Sequence, residues 1–503
     1  MKKRYVGLAV FLFFLIFIIV VLFMGRKVGL ADNGDFYRVT SPVGIGFPDG
    51  FAPFFYFFDQ YKLAFITGHG FWGDFIKTLT YFGSDALSYI TTQYVFVKAA
   101  QAVSFTVNFL TGRDAGLFNV RWLGAVYALF HAAGLTLIAV GLFKKNMLYN
   151  AAVTLLLTLI FCDIGYFLYF NSFFGEAVII VSLMLMFGAI SRIREKVSVP
   201  RTLFFYLAAL IFTGAKVANW PMAIFICLFG LSILLVRRDA KMVMTVIACS
   251  LALAASAVYI NSATPEWMTD VTVYQSVFYG VLRNSPSPAK DLEELGVDKK
   301  YAVLADTNAY TKNPPVDVTT AEFKNDFYDK VSHGKILMFY LRHPVRFYQK
   351  IENAVYNSVC ISPPYLGNYT EGENPERLSF TSRFSFWSQI KKASLKFSIV
   401  GTLGYLLLFF IFLIGASVRC VKYKETAPRN ILGVSAAGLL WCVTVSQLII
   451  PIIGNGDGDL AKHMFLFILC FDLMIFYGVV VAITMLIKKK ENIFITTMPM
   501  TFL

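Results

Sequence analysis

Long apolar runs alternate with short polar turns along most of this chain. The first run covers residues 6–24 without interruption. Nine further runs follow near 121–143, 148–168, 175–190, 202–215, 220–236, 242–260, 397–418, 431–453 and 464–487. A helix needs about 20 apolar residues to cross the bilayer core. The pattern therefore predicts an all-α polytopic membrane protein with about ten transmembrane helices, although the short runs between 202 and 236 leave the count open by one helix.

The composition agrees with this class. Apolar residues make up 57% of the chain, charged residues only 15%, and the mean hydropathy is +0.63. A water-soluble domain needs more charge to cover its surface, so most of these apolar side chains must face lipid or other helices. The seven cysteines form no CxxC pair and lie mostly in apolar runs, which indicates neither a disulfide framework nor a zinc site.

The net charge of +14 comes largely from short basic clusters at the ends of apolar runs, so membrane lipids are expected partners and nucleic acid is not. Nineteen of these residues occupy one set of connections: Lys2, Lys3, Arg4, Lys144, Lys145, Arg192, Arg194, Lys196, Arg201, Arg237, Arg238, Lys241, Arg419, Lys422, Lys424, Arg429, Lys488, Lys489 and Lys490. The short connections on the opposite side carry only Lys216 and Lys462. Because cytoplasmic loops are rich in Lys and Arg, both termini are predicted to be cytoplasmic in the cell membrane.

Two long segments are then left on the extracytoplasmic face. Residues 25–119 form a first external loop within a transmembrane bundle that covers 1–262. Inside this loop, 84–110 is predicted to be an amphipathic interfacial helix, with a spanning helix as the alternative. Residues 263–396 are polar and rich in Pro, Asn and Tyr, which predicts a small extracytoplasmic domain before the C-terminal transmembrane helices of 397–503.

With this topology, four polar turns lie at one end of the bundle, at 31–38, 169–176, 214–220 and 454–463. Turns at the same end of a helix bundle can converge on one cavity, and this shared location is the main functional signal in the sequence.

The first two turns carry acidic residues. Asp32 and Asp35 are candidates for a general base that takes a proton from an acceptor hydroxyl; alternatively they cap a helix or solvate the loop. Glu176 begins a helix, where the helix dipole favours a carboxylate, so capping explains it as well as catalysis does. Asp457 and Asp459 flank Gly458, which is typical of a Mg²⁺ or Ca²⁺ turn. The other ligands of an EF-hand are absent, so a divalent cation is only an alternative and no residue is assigned to metal.

The cations of these turns are candidates for phosphate binding. Lys216 and Lys462 stand where the charge bias disfavours Lys, and Lys binds phosphate as a point charge. His463 can donate a hydrogen bond to the same phosphate, and Arg38 can assist. The alternative is that Lys216 and Lys462 meet anionic lipid headgroups.

These turns and their order resemble the GT-C superfamily of polyprenyl-phosphate-dependent glycosyltransferases. The layout is most similar to bacterial glycan-biosynthesis hexose transferases of the S-layer type (WsfD-like). The resemblance implies an inverting transferase that takes a hexose from an undecaprenyl-phosphate donor on the outer face, with Asp32 or Asp35 as base. The acceptor would be a cell-envelope glycan or a lipid-linked molecule. Gly175 and Ala177, which flank Glu176, depart from the pattern in many relatives, as does the sequence that follows Lys216.

Other interpretations remain open at this point. Aromatic side chains of the 263–396 segment either stack on sugars or form its core: Trp267, Tyr274, Tyr279, Tyr301, Tyr310, Tyr365 and Tyr369. A transporter or flippase would carry polar residues near the midplane and internal repeats, but only Asp163, Gln447 and Asp472 come close and no repeat is visible. A non-catalytic glycan-assembly subunit is the third possibility. The sequence favours the membrane glycosyltransferase.

Overall fold

The computed structural model describes residues 3–68, 70–83, 89–394, 398–424 and 427–491. From the N-terminus through the first long loop, the elements are α1 Lys3–Phe23, α2 Tyr37–Thr40, β1 Ile45–Gly46, β2 Gln60–Leu63, α3 Phe71–Thr80, α4 Gln93–Leu110 and β3 Leu117–Asn119. The next apolar helices are α5 Arg121–Leu142, α6 Met147–Phe161, α7 Ile164–Phe167, α8 Glu176–Glu195, α9 Val199–Thr213, α10 Met222–Ile233 and α11 Ala240–Ser262, with a 3₁₀ turn at Val217–Asn219.

The polar segment that follows is also helical. It contains α12 Glu266–Ser276, α13 Pro288–Leu295, α14 Ala321–Phe323, α15 His333–Arg342, α16 Pro344–Asn357 and α17 Phe386–Ala393, with π-helical turns at Val277–Val281 and Lys324–Tyr328 and a 3₁₀ helix at Lys299–Leu304. The chain then returns to apolar helices α18 Ser398–Lys422 and α19 Pro428–Asn455, the short α20 Leu460–His463, and α21 Phe465–Glu491.

Each predicted run corresponds to an apolar helix, although the 148–168 run is interrupted at Cys162 and Asp163 and also contains the short α7. Among the described residues, seven helices are long and apolar enough to cross a membrane, namely α1, α5, α8, α11, α18, α19 and α21. The shorter apolar helices are α6, α9 and α10. The ambiguous stretch near 202–236 forms two helices, α9 and α10. The α-helical polytopic membrane class is confirmed, and a helix suits this setting because it satisfies its own backbone hydrogen bonds.

Helix α8 lies at the centre of the bundle and is buried along almost its whole length. It packs against α5 and α9 and also contacts α19 and α21. Glycines allow the close contact with α5: a Cβ on Gly134 would come within 2.7 Å of the Met184 Cβ, and one on Gly188 within 2.7 Å of the Leu137 Cβ. Small residues at such positions are typical of membrane helix pairs, where packing replaces the hydrophobic effect as the driving force.

The first loop contains the one sheet found in the described residues, with strand order β1-β2-β3 and antiparallel pairing. Helix α4 packs against α3, α5 and β3. It lies within the predicted 84–110 helix, of which residues 84–88 are outside the described ranges. The polar side chains of Lys98 and Gln101 are buried, and both donate to the Val43 carbonyl, at 3.4 and 2.9 Å. Helix α4 is not among the described helices that are apolar enough to span a membrane.

The segment between α11 and α18 has an aromatic core of its own. Phe278, Phe323 and Phe327 pack together with Tyr274, and Tyr301 contacts Phe323 at a ring distance of 5.1 Å. Tyr274 and Tyr301 are therefore core residues, as in the structural alternative for these aromatics. Helices α12 and α16 rest on α19, which places this segment directly above the last polar turn.

Candidate functional site

Asp32 shapes the first polar turn. Its Oδ1 accepts hydrogen bonds from the backbone N–H groups of Gly34, Asp35 and Phe36 at 2.9, 2.9 and 3.0 Å. Gly34 has a φ of 94°, a conformation that glycine adopts without strain. Asp32 is buried, and burial raises the pKa of its carboxyl despite the three N–H groups that lower it. These bonds fold the loop so that the next carboxylate, Asp35, projects from it.

Asp35 lies between two cations. Arg38 Nη2 is 2.9 Å from Asp35 Oδ1, and Lys462, 427 residues away in the chain, forms an ion pair with Oδ2. Burial by itself would raise the pKa of Asp35, but Lys462 and Arg38 bring it well below its usual range. With its amide oriented to satisfy its hydrogen bonds, Asn33 places its oxygen 3.0 Å from Lys462 Nζ and its nitrogen 3.2 Å from Asp35 Oδ2. The first and last polar turns therefore meet at this carboxylate.

Lys462 is buried, with 5% of its surface exposed. Its Nζ lies 4.5 Å from the ring centre of Phe174, which itself packs against Phe36 at a ring distance of 4.7 Å. Although burial would lower the pKa of Lys462, Asp35 and the nearby acidic groups raise it above its usual value. The ammonium group is therefore charged, and an aromatic face and a carboxylate hold it in place.

Glu176 and Lys216 form a second ion pair beside the first, with Glu176 Oε1 2.7 Å from Lys216 Nζ. Glu176 is 1% exposed, and its Oε2 has no hydrogen-bond partner in the described residues. A Cβ on Gly175 would lie 2.9 Å from both the Ala215 carbonyl oxygen and Lys216 Cγ. Gly175, which departs from the pattern of the GT-C relatives, thus provides the space in which Lys216 packs.

Polar residues just before and within α4 connect the turns, and the sequence did not single them out. Thr92 N–H donates to the Gly214 carbonyl at 2.9 Å, and Thr91 Oγ1 donates to the Ala215 carbonyl at 2.9 Å. Gln93 Nε2 donates to the Phe174 carbonyl at 3.3 Å. The only hint in the sequence was a Thr-Thr-Gln run at the start of a semi-polar helix, which does not reveal its distant partners.

The two carboxylates of the last turn point in different directions. Asp457 Oδ2 lies 2.7 Å from Lys350 Nζ, and its Oδ1 accepts from Asn353 Nδ2 at 3.0 Å, both on α16. Asp459 instead accepts a hydrogen bond from the Tyr365 hydroxyl, and burial raises the pKa of its carboxyl. The structure therefore brings Asp459 to the Lys462 side of the turn, whereas Asp457 anchors the polar segment to the bundle.

The donor set does not fit a Mg²⁺ or Ca²⁺ site. No group of three His, Cys, Asp or Glu side chains within the described ranges is arranged to hold a metal ion. Both oxygens of Asp457 are already engaged by α16, and hard cations need several oxygen ligands at once. The divalent-cation alternative for the 457–459 turn is therefore not supported by its geometry.

His463 follows Lys462 on α20 and is partly buried. Burial, together with the nearby Lys216 and Lys462, lowers the pKa of its imidazole to about 3. The ring is neutral at physiological pH, so it can donate or accept a hydrogen bond but adds no positive charge to the site.

Aromatic residues of the polar segment lie next to Arg38. Its Cζ is 5.1 Å from the ring centre of Trp267, and the exposed Tyr310 lies close to the same guanidinium. Arg38 Nε and Trp267 Nε1 are both buried without a hydrogen-bond partner in the described residues. Buried N–H groups normally have partners, so these two donors are free to bind a polar group at this edge.

Comparison with known proteins adds a family assignment. The model of the YfdI N-terminal transmembrane domain matches residues 1–496. The chain belongs to this family. All four polar turns lie within the matched residues. No curated protein and no solved structure matches the chain significantly.

Proposed function

We propose that this chain is a membrane glycosyltransferase that moves a hexose from an undecaprenyl-phosphate donor to a cell-envelope glycan or lipid-linked acceptor. The observation that carries the proposal is the half-buried Asp35 carboxylate, which lies between Arg38 and Lys462 where the polar turns meet. Membership of the YfdI family supports it, because that family suggests a glycosyltransferase-type function of GT-C-like character. The identity of donor and acceptor rests on the chemistry of the site and on the resemblance seen in the sequence.

In this proposal the acceptor hydroxyl attacks the anomeric carbon of the hexose and gives its proton to Asp35. The bond from that carbon to the phosphate oxygen breaks, and the lipid phosphate leaves with the electron pair. Inversion follows because base and leaving group lie on opposite sides of the sugar. We assign the base to Asp35 and not to Asp32, because Asp32 is buried and holds the loop through three backbone N–H groups, whereas Asp35 lies beside the cations proposed to bind the phosphate.

The cations supply the charge that a leaving phosphate needs. Three carboxylates, Asp35, Glu176 and Asp459, lie beside the three cations Arg38, Lys216 and Lys462, so a phosphodiester gains cationic partners by displacing a carboxylate from them. An arriving phosphate also competes with Asp35 for Lys462 and Arg38. Weaker pairing raises the pKa of Asp35 toward its usual value, so donor binding makes this carboxylate a better base. His463 contributes a neutral N–H donor, consistent with its lowered pKa.

The acceptor is proposed to enter beside the polar segment of 263–396. Trp267 and Tyr310 lie next to Arg38, so a sugar ring bound there would bring its hydroxyl close to Asp35. The unpartnered Trp267 Nε1 offers a hydrogen bond to such a ligand. The polyprenyl tail would lie among the apolar helices, with the site on the extracytoplasmic face and both termini in the cytoplasm.

The test is transfer of labelled hexose from undecaprenyl-phosphate donors in membranes that contain the full chain. Asp35→Asn is expected to lower the rate by roughly 10²- to 10⁴-fold at an unchanged protein level, the range typical of a lost general base. Asp49→Asn is the matched control, since Asp49 lies in the same loop but is 95% exposed and forms an ion pair with Lys62, away from the charged site. Asp32→Asn is expected to lower the amount of folded protein together with activity, because it removes the acceptor that shapes the loop.

Two outcomes would contradict the proposal. Wild-type chain that transfers no hexose from any lipid donor would favour a flippase or a non-catalytic assembly subunit. Full activity of Asp35→Asn would keep the transferase but require a different base.

A further inference from the structure

A cavity of about 460 Å³ lies between α1, α5 and the small sheet, apart from the charged site. Its volume falls within the range of roughly 300–1,000 Å³ that is common for ligand sites. One part is apolar and is formed by Leu15 and Ile19 of α1 and by Trp122 and Ala125 of α5. The other part is polar and includes Gln60, Asn108, Arg113, Asp114, Asn119 and Arg121.

The sheet separates this cavity from Asp35. Tyr61 of β2 and Phe118 of β3 contact Phe173 of the second polar turn, at ring distances of 5.0 and 6.1 Å. Their neighbours Gln60 and Asn119 line the cavity. Since successive residues of a strand point to opposite faces, the sheet has one face toward the charged site and the other toward the cavity.

The polar part of the cavity carries excess positive charge. Arg113 is exposed and has no ion-pair partner among the described residues. One N–H group of Arg121 donates to the Phe23 carbonyl at 2.8 Å, whereas its Nε is buried without a partner in the described residues. The single acid, Asp114, accepts from the Gly116 N–H through Oδ1 at 2.8 Å. The two guanidinium groups thus outnumber the one carboxylate.

We propose that this cavity is a binding site for one anionic phospholipid, with the phosphate at Arg113 and Arg121 and an acyl chain along α1 and α5. The apolar part is formed by helices that are apolar enough to span the membrane, and the cationic part lies where α1 ends and α5 begins. An anionic phospholipid matches both parts, because its acyl chains are apolar and its headgroup is negatively charged. Arginine binds phosphate well because its planar fork of donors matches the phosphate oxygens.

The occupant is not the polyprenyl-phosphate sugar donor. With its phosphate at Arg113, the sugar of that donor would be on the far side of the sheet from Asp35. The inference therefore goes beyond the proposed transferase reaction and does not depend on it. The bound phospholipid connects the end of α1 to the start of α5 and should stabilise their packing.

Native mass spectrometry of the purified full chain, titrated with phosphatidylglycerol, tests the site. We expect one phosphatidylglycerol molecule to bind per chain, and to bind more tightly than phosphatidylcholine does. Arg113→Gln is expected to weaken phosphatidylglycerol binding roughly tenfold, as loss of one charge-assisted hydrogen bond does. Arg377→Gln is the matched control, because Arg377 is also exposed and lies over the Phe55 ring, outside the cavity. Ala125→Leu, which fills the apolar part without changing charge, is expected to weaken binding as well.

Several results would overturn the inference. Equal phosphatidylglycerol binding by wild type and Arg113→Gln would contradict the assignment of the headgroup to Arg113. Equal binding of phosphatidylcholine and phosphatidylglycerol would show that the cavity does not select an anionic lipid. Tighter binding of undecaprenyl phosphate than of phosphatidylglycerol, lost in Arg113→Gln, would identify a polyprenyl carrier as the occupant. Hexose transfer by Arg113→Gln is expected to match wild type, so failure of the lipid site is distinguishable from failure of the proposed function.

Discussion

Asp32 and Asp35 are three residues apart but have opposite pKa shifts. Burial raises the pKa of Asp32, whose Oδ1 is used by backbone N–H groups. Asp35 is half-buried, yet Lys462 and Arg38 bring its pKa well below the usual range. The surroundings of each carboxylate, and not its position in the turn, therefore decide the direction of its pKa shift and which of the two organises the loop.

This difference predicts the pH dependence of transfer. If Asp35 is the base, kcat/KM should stay nearly flat from pH 8 down to pH 5, because the free enzyme keeps Asp35 ionised until well below the usual carboxylate range. His463, with a pKa of about 3, adds no change in this window either. If Asp32 is the base, its raised pKa should make the rate fall with acid at a pH above 3.8. The pH profile of kcat/KM measures the difference, since it reports groups of the free enzyme.

The same pKa shift affects folding. Because the pKa of Asp35 is lower in the folded protein, its ion pairs contribute stability above the ordinary carboxylate pKa, and this stability is lost as the pH falls through the lowered value. A drop in unfolding temperature between pH 8 and 6 that disappears in Asp35→Asn would contradict the assignment.

At the scale of elements, short loops hold the functional side chains and the helices fix the loops. The start of α8 places Glu176, and the turn after α9 places Lys216 against it. Gly175, just before α8, lies so close to the turn after α9 that a Cβ there would be 2.9 Å from the Ala215 carbonyl oxygen. The pairing needs both helices in register, so it depends on the packing of α8 and α9.

Gly175→Ala tests this contact. The added methyl group would overlap the Ala215 carbonyl and Lys216 Cγ, so we expect a loss of roughly 1–3 kcal/mol of stability, typical of overpacking, and reduced transfer. Gly454→Ala is the control, because a Cβ there would meet no atom of the described residues within 4 Å. The unfolding temperature in nanodiscs and the transfer rate are the measurements. Equal behaviour of the two variants would show that the 175–216 contact is unimportant.

Two buried acidic residues outside the candidate site, Asp472 and Asp163, hold helix α17 against the bundle. Asp472 of α21 accepts from the Tyr166 hydroxyl at 2.6 Å and Trp387 Nε1 at 2.7 Å, and it pairs with Lys391 Nζ at 2.7 Å. Asp163 accepts from Ser388 in the same region, at 2.5 and 2.9 Å. Asp472 and Asp163, which are rare types of residue in apolar runs, are therefore explained by contacts that anchor α17, and need no transport pathway.

Lys391→Met is expected to destabilise the protein much more than Lys392→Met. Removing Lys391 leaves the fully buried Asp472 carboxylate without its counter-ion, a change that costs roughly 3–5 kcal/mol in proteins. Lys392 is next in sequence but exposed, so its loss should cost little. Thermal unfolding of the two variants in the same detergent gives the comparison, and similar unfolding temperatures would rule out an anchoring role for the pair.

At the scale of the whole molecule, the two ends of the chain combine to form one site. Asp35 lies just after α1, and Lys462 lies just before α21. The polar segment closes over this end of the bundle because α12 and α16 rest on α19 and Lys350 holds Asp457. The site is therefore complete only when the first and last apolar helices are assembled.

The predicted sidedness can be measured in intact cells. Lys299→Cys should react with a membrane-impermeant maleimide, because Lys299 is 70% exposed on the polar segment. Lys241→Cys, exposed at the opposite end of the bundle, should react only after the cells are opened. The unmodified chain gives the background of its seven cysteines. Labelling of Lys241→Cys from outside, and not of Lys299→Cys, would invert the topology.

Much of the architecture was visible in the sequence. The length of each apolar run decides whether a helix can cross a bilayer, and this property is local, so all ten runs correspond to helices in the structure. The shared location of the four polar turns was also predictable. Successive spanning helices cross the membrane in opposite directions, so numbering the helices shows which loops lie on the same face. The small sheet and the inward-facing polar residues of α4 were not predictable, since both depend on partners far away in the chain.

What the sequence by itself determined is the class of protein and the set of polar turns, because hydrophobic length and charge placement act locally. Only the tertiary structure decided which carboxylate meets which cation. It pairs Asp35 with Lys462, turns Asp459 toward Tyr365, and sends Asp457, two residues earlier, to Lys350 on another helix. Neighbours in sequence separate in this way because a turn points successive side chains in different directions, and the packed helices determine what each one reaches.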